Sequence, residues 1–426
     1  MIARLKDALL AALIAGVLTL PLMGARTIES AHGLTAEWHL DRVLAVVVTV
    51  FLGRLAVLAL LRRARGLGRM FSQISAWVAR SAKVFSVQRR KKRRLLKTRF
   101  ALPAILILAT LLLPLMPFSS RYVLDVGIMV LTYIMLAWGL NITVGYAGLL
   151  DLGYVAFYAI GAYSYALLAQ YADMGFWAAL PLCGLIAAAV GVVLGFPVLR
   201  LRGDYFAIVT LGFGEITRLI LINWTTLTGG PNGLSGVPRP RLFGMEFARS
   251  GEEGQALFHD VFGLAFDPSQ RVVFLYYIIL GMALLVGWFS WRLRRLPLGR
   301  AWEALREDEV ACAALGVNRW WVKLTAYALA ASVAGLGGAF FAARQGFISP
   351  ESFTFMESAT ILAIIILGGM GSLMGVVLAT LFIIGLPELF RDLEQFRMLA
   401  FGLGMVLVMI WRPGGLMSAR EPTVRL

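Results

Sequence analysis

Six polar or charged residues lie inside long apolar runs of this chain: Arg54, Asn141, Asp151, Glu215, Arg218 and Glu388. An ionisable group is costly to hold in hydrocarbon, so each is by default a candidate for handling an ion, a proton or a polar solute. Glu215 and Arg218 are three apart, the spacing at which helical neighbours meet. They are close enough to neutralise each other and read as a structural pair ahead of a functional one. Arg54 lies past the middle of its run and reads as a structural cation that snorkels to the headgroups. Asp151 falls in Gly145 to Gly153 (GYAGLLDLG), where Gly145, Gly148 and Gly153 interrupt a long apolar stretch. Such a break either lines a solute path with backbone dipoles or is a tight turn with an Asp helix cap. A second cluster, Gly368, Gly369, Met370, Gly371 and Ser372, sits between Ile361 and Leu386. Gly371 with Gly375, like Gly191 with Gly195, has the spacing of close helix packing; the sharper meaning is a re-entrant break. The candidate path residues are therefore Asn141, Gly145, Gly148, Asp151, Gly153, Glu215, Gly369, Gly371 and Ser372.

The segment 297–318 (PLGRAWEALREDEVACAALGVN) is built differently, as a short amphipathic helix. Pro297 suits its start and Gly316 a left-handed stop, while Arg300 with Glu303 and Arg306 with Glu309 form i,i+3 pairs. A loop that merely connects two spans needs no capped helix, so this one points to a docking surface.

Enzymatic chemistry has little to stand on. The three histidines, His32, His39 and His259, fall in loops expected outside the membrane, so no histidine-based centre or metal cluster is expected within it. There is no His-Glu-x-x-His, no Gly-x-Ser-x-Gly and no Gly-x-Gly-x-x-Gly. Gly-Lys never occurs, so the chain has no phosphate cradle of the Walker type. No cofactor or metal is expected, and if ATP drives this protein a partner binds it.

What positions these residues follows from composition. The 426 residues are 59% hydrophobic and 15% charged, which excludes a disordered chain or a soluble nucleic-acid binder. Two cysteines, Cys183 and Cys312, cannot form a disulfide framework and read as free thiols. Run length, at ~20 apolar residues per crossing, predicts spans near 8–23, 43–61, 100–118, 123–145, 148–170, 176–199, 205–223, 271–291 and 322–343. The stretch 359–411 has room for two or three more. The fold expected is an all-α polytopic bundle of about 10–11 transmembrane helices with broken or re-entrant segments. The first apolar run, with Arg4 and Lys6 before it and Met23, Gly24 and Ala25 after it, has the form of a signal segment but is read as a retained span.

Orientation follows from the basic residues. Of the formal net charge of +16, fourteen arginines and lysines between Arg62 and Arg99 stand with no acid among them, so 62–99 is expected in the cytosol, against anionic lipid and not nucleic acid. Counting passes places 297–318 inside and 224–269 outside. The organisation expected is a two-span extension (1–61), a basic linker (62–99), a core (100–416) and a tail (417–426).

Around the 297–318 loop, with Glu303, Ala304 and Gly316, the chain resembles permease subunits of ATP-binding-cassette importers. GLLDLGYVAFYAIGAY (148–163), LRLRGDYFAIVTLGFGEITR (199–218), TGGPNGL (228–234), GFISPESFTF (346–355), Gly368 to Ser372 and WRPGGL (411–416) are similar to the larger permease of the high-affinity branched-chain amino acid importer, over roughly residues 100–416. The N-terminal spans and basic linker resemble the extension of its long form. Shorter members often carry Gln-x-Ser-Leu-Gly-His where this chain has Leu149 to Tyr154 (LLDLGY), so substrate detail is not carried over from them. The resemblance implies an inner-membrane permease with a second homologous permease, two ATPase subunits and a periplasmic substrate-binding protein. It also implies that Gly299, Arg300, Glu303, Ala304, Glu307 and Gly316 couple to the ATPase. The alternatives are a urea or short-amide permease of similar core, an ion-coupled secondary transporter using Asp151 or Glu215, and a membrane-bound scaffold.

Overall fold

The computed structural model describes residues 25–30, 33–38, 105–116, 119–201, 203–242, 267–389 and 415–417, with a few isolated positions besides. The expected spans 8–23 and 43–61, the basic linker, Arg54, the histidines and most of 243–266 and 390–414 lie outside the described residues. Two compact units divide at Arg99 and Phe100. Within the first, β1 (Ala25–Ser30) and β2 (Gly33–Trp38) form an antiparallel hairpin.

The second unit is helical. Its elements are α1 (Ile105–Leu115), α2 (Arg121–Asn141), α3 (Tyr154–Ala172), α4 (Phe176–Val198), α5 (Asp204–Asn223), α6 (Pro268–Arg295), α7 (Pro297–Glu307), α8 (Glu309–Ala314), α9 (Arg319–Gln345), α10 (Phe355–Gly368) and α11 (Leu373–Thr380). A two-residue ribbon pairs β3 (Leu234–Ser235) with β4 (Phe347–Ile348). Among the described residues, six segments are long and apolar enough to cross a membrane: 121–146, α4, α5, α6, α9 and 350–368. The polytopic, all-helical architecture is therefore the one expected from composition.

Helix ends follow local chemistry. Ser120 caps α2, its hydroxyl accepting from the Val123 amide. Pro268 opens α6 behind Asp267, whose carboxylate accepts from Ser269 N at 2.8 Å. That bond holds the exposed Asp267 carboxyl below its ordinary range. Asn318 caps α9 through the amides of Trp320 and Trp321, and Gly346 ends it at φ +71°.

The core is a three-helix stack in which α9 lies against α3 and α4. A Cβ at Gly161 would strike the Gly335 backbone, one at Gly335 would strike Ala187 and the Cys183 carbonyl, and one at Gly338 would strike the Tyr158 carbonyl. Glycine is what permits backbones this close. α2 and α6 run parallel beside the stack, with the Gly127 position facing Tyr276 and the Gly287 position facing Trp138.

The predicted 148–170 span differs in one respect. α2 continues as a π-helix through Ile142–Tyr146, and α3 begins only at Tyr154. The intervening backbone turns at Gly148 (φ +72°). Asp151, Gly153, Tyr154 and Val155 are all buried, so α3 opens inside the bundle. The stretch 359–389 is a helical hairpin: α10 and α11 are separated by Gly369 (φ +103°) and Gly371 (φ +86°), and α11 continues as π-helix and α-helix to Leu389.

Candidate functional site

The 297–318 segment is two helices, where one was expected. Asp308 takes an extended conformation (φ −153°) and its carboxylate accepts from Val310 N at 2.8 Å and Ala311 N at 3.0 Å, restarting the helix as α8. The acids of both expected i,i+3 pairs bond to other elements of the bundle. Glu303 pairs with Arg294 of α6 at 2.6 Å, and Glu309 with Lys323 of α9 at 2.9 Å.

These bonds fasten α7 and α8 to the bundle. Trp302 is fully buried and donates from Nε1 to the Val322 carbonyl at 2.9 Å. Gly299 is buried where a Cβ would strike the Leu293 carbonyl and Arg294, so it closes the α6–α7 turn and offers no docking surface. Glu303 likewise faces inward, whereas Arg300, Ala304, Glu307 and Gly316 are exposed. Gly316 takes φ +83° in open space, as a helix stop requires. Sequence reasoning missed two outward apolar residues, Val310 at 69% and Leu315 at 82% exposure. Their signal was the apolar run Val310 to Leu315 within an otherwise charged loop.

The two glycine clusters, distant in sequence, meet beside α7. The Gly371 amide donates to Asn141 Oδ1 at 2.9 Å, and Trp138 Nε1 donates to the Leu373 carbonyl at 3.0 Å. Arg306 of α7 donates from Nη1 to the Gly145 carbonyl, released by the π-helical turn. Gly148 lies directly on Arg306, whose Cγ would be 2.8 Å from an added Cβ. Gly148 is thus a seat for α7 as well as a break between helices. Gly371 serves by its positive φ and not by the packing its spacing suggested, whereas Gly375 does pack on Gly368. The chain closes over this turn: Leu416 N donates to Leu367 O at 2.8 Å and Met417 N to Gly368 O at 3.1 Å.

Asp151 stands deeper, at the buried start of α3. Its Oδ1 accepts from Gly153 N at 2.9 Å, Thr210 Oγ1 accepts from Leu152 N at 3.1 Å, and Ser358 Oγ accepts from Val155 N at 2.9 Å. Gly153 presses on the Thr210 carbonyl of α5. Asp151 Oδ2 and Asn141 Nδ2 are buried without a hydrogen-bond partner among the described residues. Ser372 caps α11 through the Gly375 amide at 3.0 Å, and Gly369 turns the hairpin. The structure therefore joins Asn141, Gly145, Gly148, Gly369, Gly371 and Ser372 at one junction, Asp151 and Gly153 at a second, and leaves Glu215 apart on α5. Glu388 lies near Tyr122, whose hydroxyl donates to its carbonyl at 2.6 Å. Glu357 was missed because the expected span began at 359; it accepts from Tyr133 OH at 2.5 Å. Both cysteines are free and buried. Among the described residues no group of three His, Cys, Asp or Glu side chains is placed to hold a metal.

Comparison with known proteins agrees with this architecture. The family described as "Branched-chain amino acid transport system / permease component" matches residues 122–410, and a domain of unknown function matches 3–112. The chain is 54% identical over 332 residues, 78% of this chain and 77% of the relative, to the "High-affinity branched-chain amino acid transport system permease protein LivM" of Escherichia coli (strain K12). It is 25% identical over 302 residues, 68% of this chain and 92% of the relative, to the permease protein LivH of the same kind of system in Salmonella typhimurium. A probable LivM of Methanocaldococcus jannaschii is 23% identical over 258 residues, 57% of this chain and 68% of the relative. No solved structure matches. The chain belongs to the branched-chain amino acid transport system permease family.

Proposed function

We propose that the protein is a permease subunit of an ATP-binding-cassette importer carrying branched-chain amino acids across the bacterial inner membrane. In this reading it acts beside a second homologous permease, two ATPase subunits and a periplasmic substrate-binding protein. It performs no covalent chemistry, and ATP is hydrolysed by the partner subunits. The substrate follows from the likeness to LivM, and the second permease from the likeness to LivH. The basic linker 62–99 lies on the cytosolic side against anionic lipid, 224–269 lies outside, and 297–318 faces the ATPase.

The observation that carries the reading is the bond from Arg306 to the Gly145 carbonyl. Outward residues Arg300, Ala304 and Glu307 on α7 and Val310 and Leu315 on and just past α8 stand beside Arg306, which grips the junction of α2 with the α10–α11 hairpin. A pull on α7 and α8 reaches that junction through one side chain and the Gly148 contact, without passing through a flexible loop. This geometry supports rigid-body rearrangement that opens the path to alternate sides. Proteoliposomes holding the complete complex test it. ATP with the substrate-loaded binding protein, and no ion gradient, should drive leucine uptake; uptake that requires a proton or sodium gradient and ignores ATP would overturn the reading.

A further inference from the structure

α5 carries an ion pair on its outward face. Arg218 Nη1 lies 3.7 Å from Glu215 Oε2, and their side chains are 30% and 42% exposed. A charge-assisted bond is shorter, at ~2.7–2.9 Å, so the two groups are neighbours with bonding capacity left over. Arg218 Nε is buried without a hydrogen-bond partner among the described residues. Arg218 stands nearer the Asn223 end of α5, yet its guanidinium points back toward Glu215 and deeper into the span. A snorkelling arginine would reach the other way.

The charged pair itself argues against lipid on this face. Ile208, Ile216, Leu219 and Ile220 are exposed there, and the Gly212 Cβ position has nothing within 4 Å. Charged side chains in spans face protein or water-filled space, and a small residue in an outward stripe admits a neighbouring backbone. Resting on the transport reading above, we propose that Glu215 and Arg218 bind the head of the transported amino acid where α5 meets the second permease subunit. The guanidinium takes the α-carboxylate in a planar fork, and the Glu215 carboxylate takes the α-ammonium. The adjoining isoleucines and leucine give a branched aliphatic side chain an apolar wall. The pair lies in the half of α5 nearer Asn223, the half that the expected topology turns outward, so a solute released by the binding protein meets it early.

The test uses the full complex in proteoliposomes with saturating leucine-loaded binding protein. Glu215→Gln and Arg218→Gln should each lower ATP-driven uptake at least tenfold while the four membrane subunits still co-purify. The charge-exchanged double variant, Glu215→Arg with Arg218→Glu, keeps opposite charges at the same spacing and should not restore uptake. Normal uptake in either single variant would overturn the proposal. So would loss of co-purification in the single variants with assembly and uptake both rescued by the exchange, the result a purely structural pair gives. Failure of the wild-type complex to use ATP would instead strike the transport reading itself.

Discussion

α9 and α5 have the same mean hydropathy, 1.6, over their most apolar stretches, yet 72% of the one stretch and 28% of the other is buried within this chain. Hydropathy states that a helix enters the membrane and says nothing of what it faces. Its small and charged residues carry that information. On α9, Gly335 and Gly338 meet backbone of neighbouring helices, and the helix is locked in the centre. On α5, Phe206, Ala207, Thr210, Gly214, Thr217 and Leu221 are buried, while Gly212 and the Glu215–Arg218 pair are turned away. One helix is a keel and the other a wall awaiting a neighbour.

Four substitutions break or sharpen that contrast. Gly335→Leu should be the most damaging, because its side chain would have to displace Cys183 and Ala187; overpacking of this kind costs about 3 kcal/mol or more. No monodisperse subunit should be recovered in detergent, and a normal melting temperature would show that α9 is not packed backbone to backbone. Trp302→Ala should follow, at about 3 kcal/mol for a buried aromatic. Here the loss should be local: hydrogen exchange across 297–315 should rise and substrate-stimulated ATP hydrolysis should disappear, with α9 unchanged. Arg306→Ala removes one charged hydrogen bond, about 1.5–3 kcal/mol, and should cut coupled ATP hydrolysis at least tenfold in a complex that still assembles. Ile216→Ala on α5 should leave the isolated subunit within about 0.5 kcal/mol of wild type, as surface substitutions do. Its effect should appear only in co-purification with the second permease. Equal destabilisation by Gly335→Leu and Ile216→Ala would erase the distinction between the two helices.

Much of this fold was legible in the sequence. The expected spans 176–199 and 205–223 correspond to Phe176–Val198 and Asp204–Asn223, because a long apolar run between glycines and charges has few alternatives in a bilayer. The capped loop at 297–318 and its Gly316 stop were likewise readable from residue type. What escaped was whatever depends on contacts distant in sequence. Glu303 was paired with Arg300 on its own helix, but Arg294 lies closer once α6 turns back at Gly299. Gly371 had packing spacing, but Asn141, 230 residues away, fixes its amide in a turn. The late start of α3 was hidden because nothing in LLDLGY announces that Ser358 will receive the Val155 amide.

The bonds from Leu416 and Met417 to the carbonyls of Leu367 and Gly368 have a consequence for biosynthesis. The α10–α11 turn lies beside α2 and α7, elements made much earlier, yet two of its carbonyls stay unpaired until the chain has been translated to residue 417. An amide or carbonyl left open in an apolar setting is unfavourable, so this junction is the last part of the bundle to set. A nascent chain stalled before Gly415 would hold every helix from α1 to α11 and still lack a closed turn.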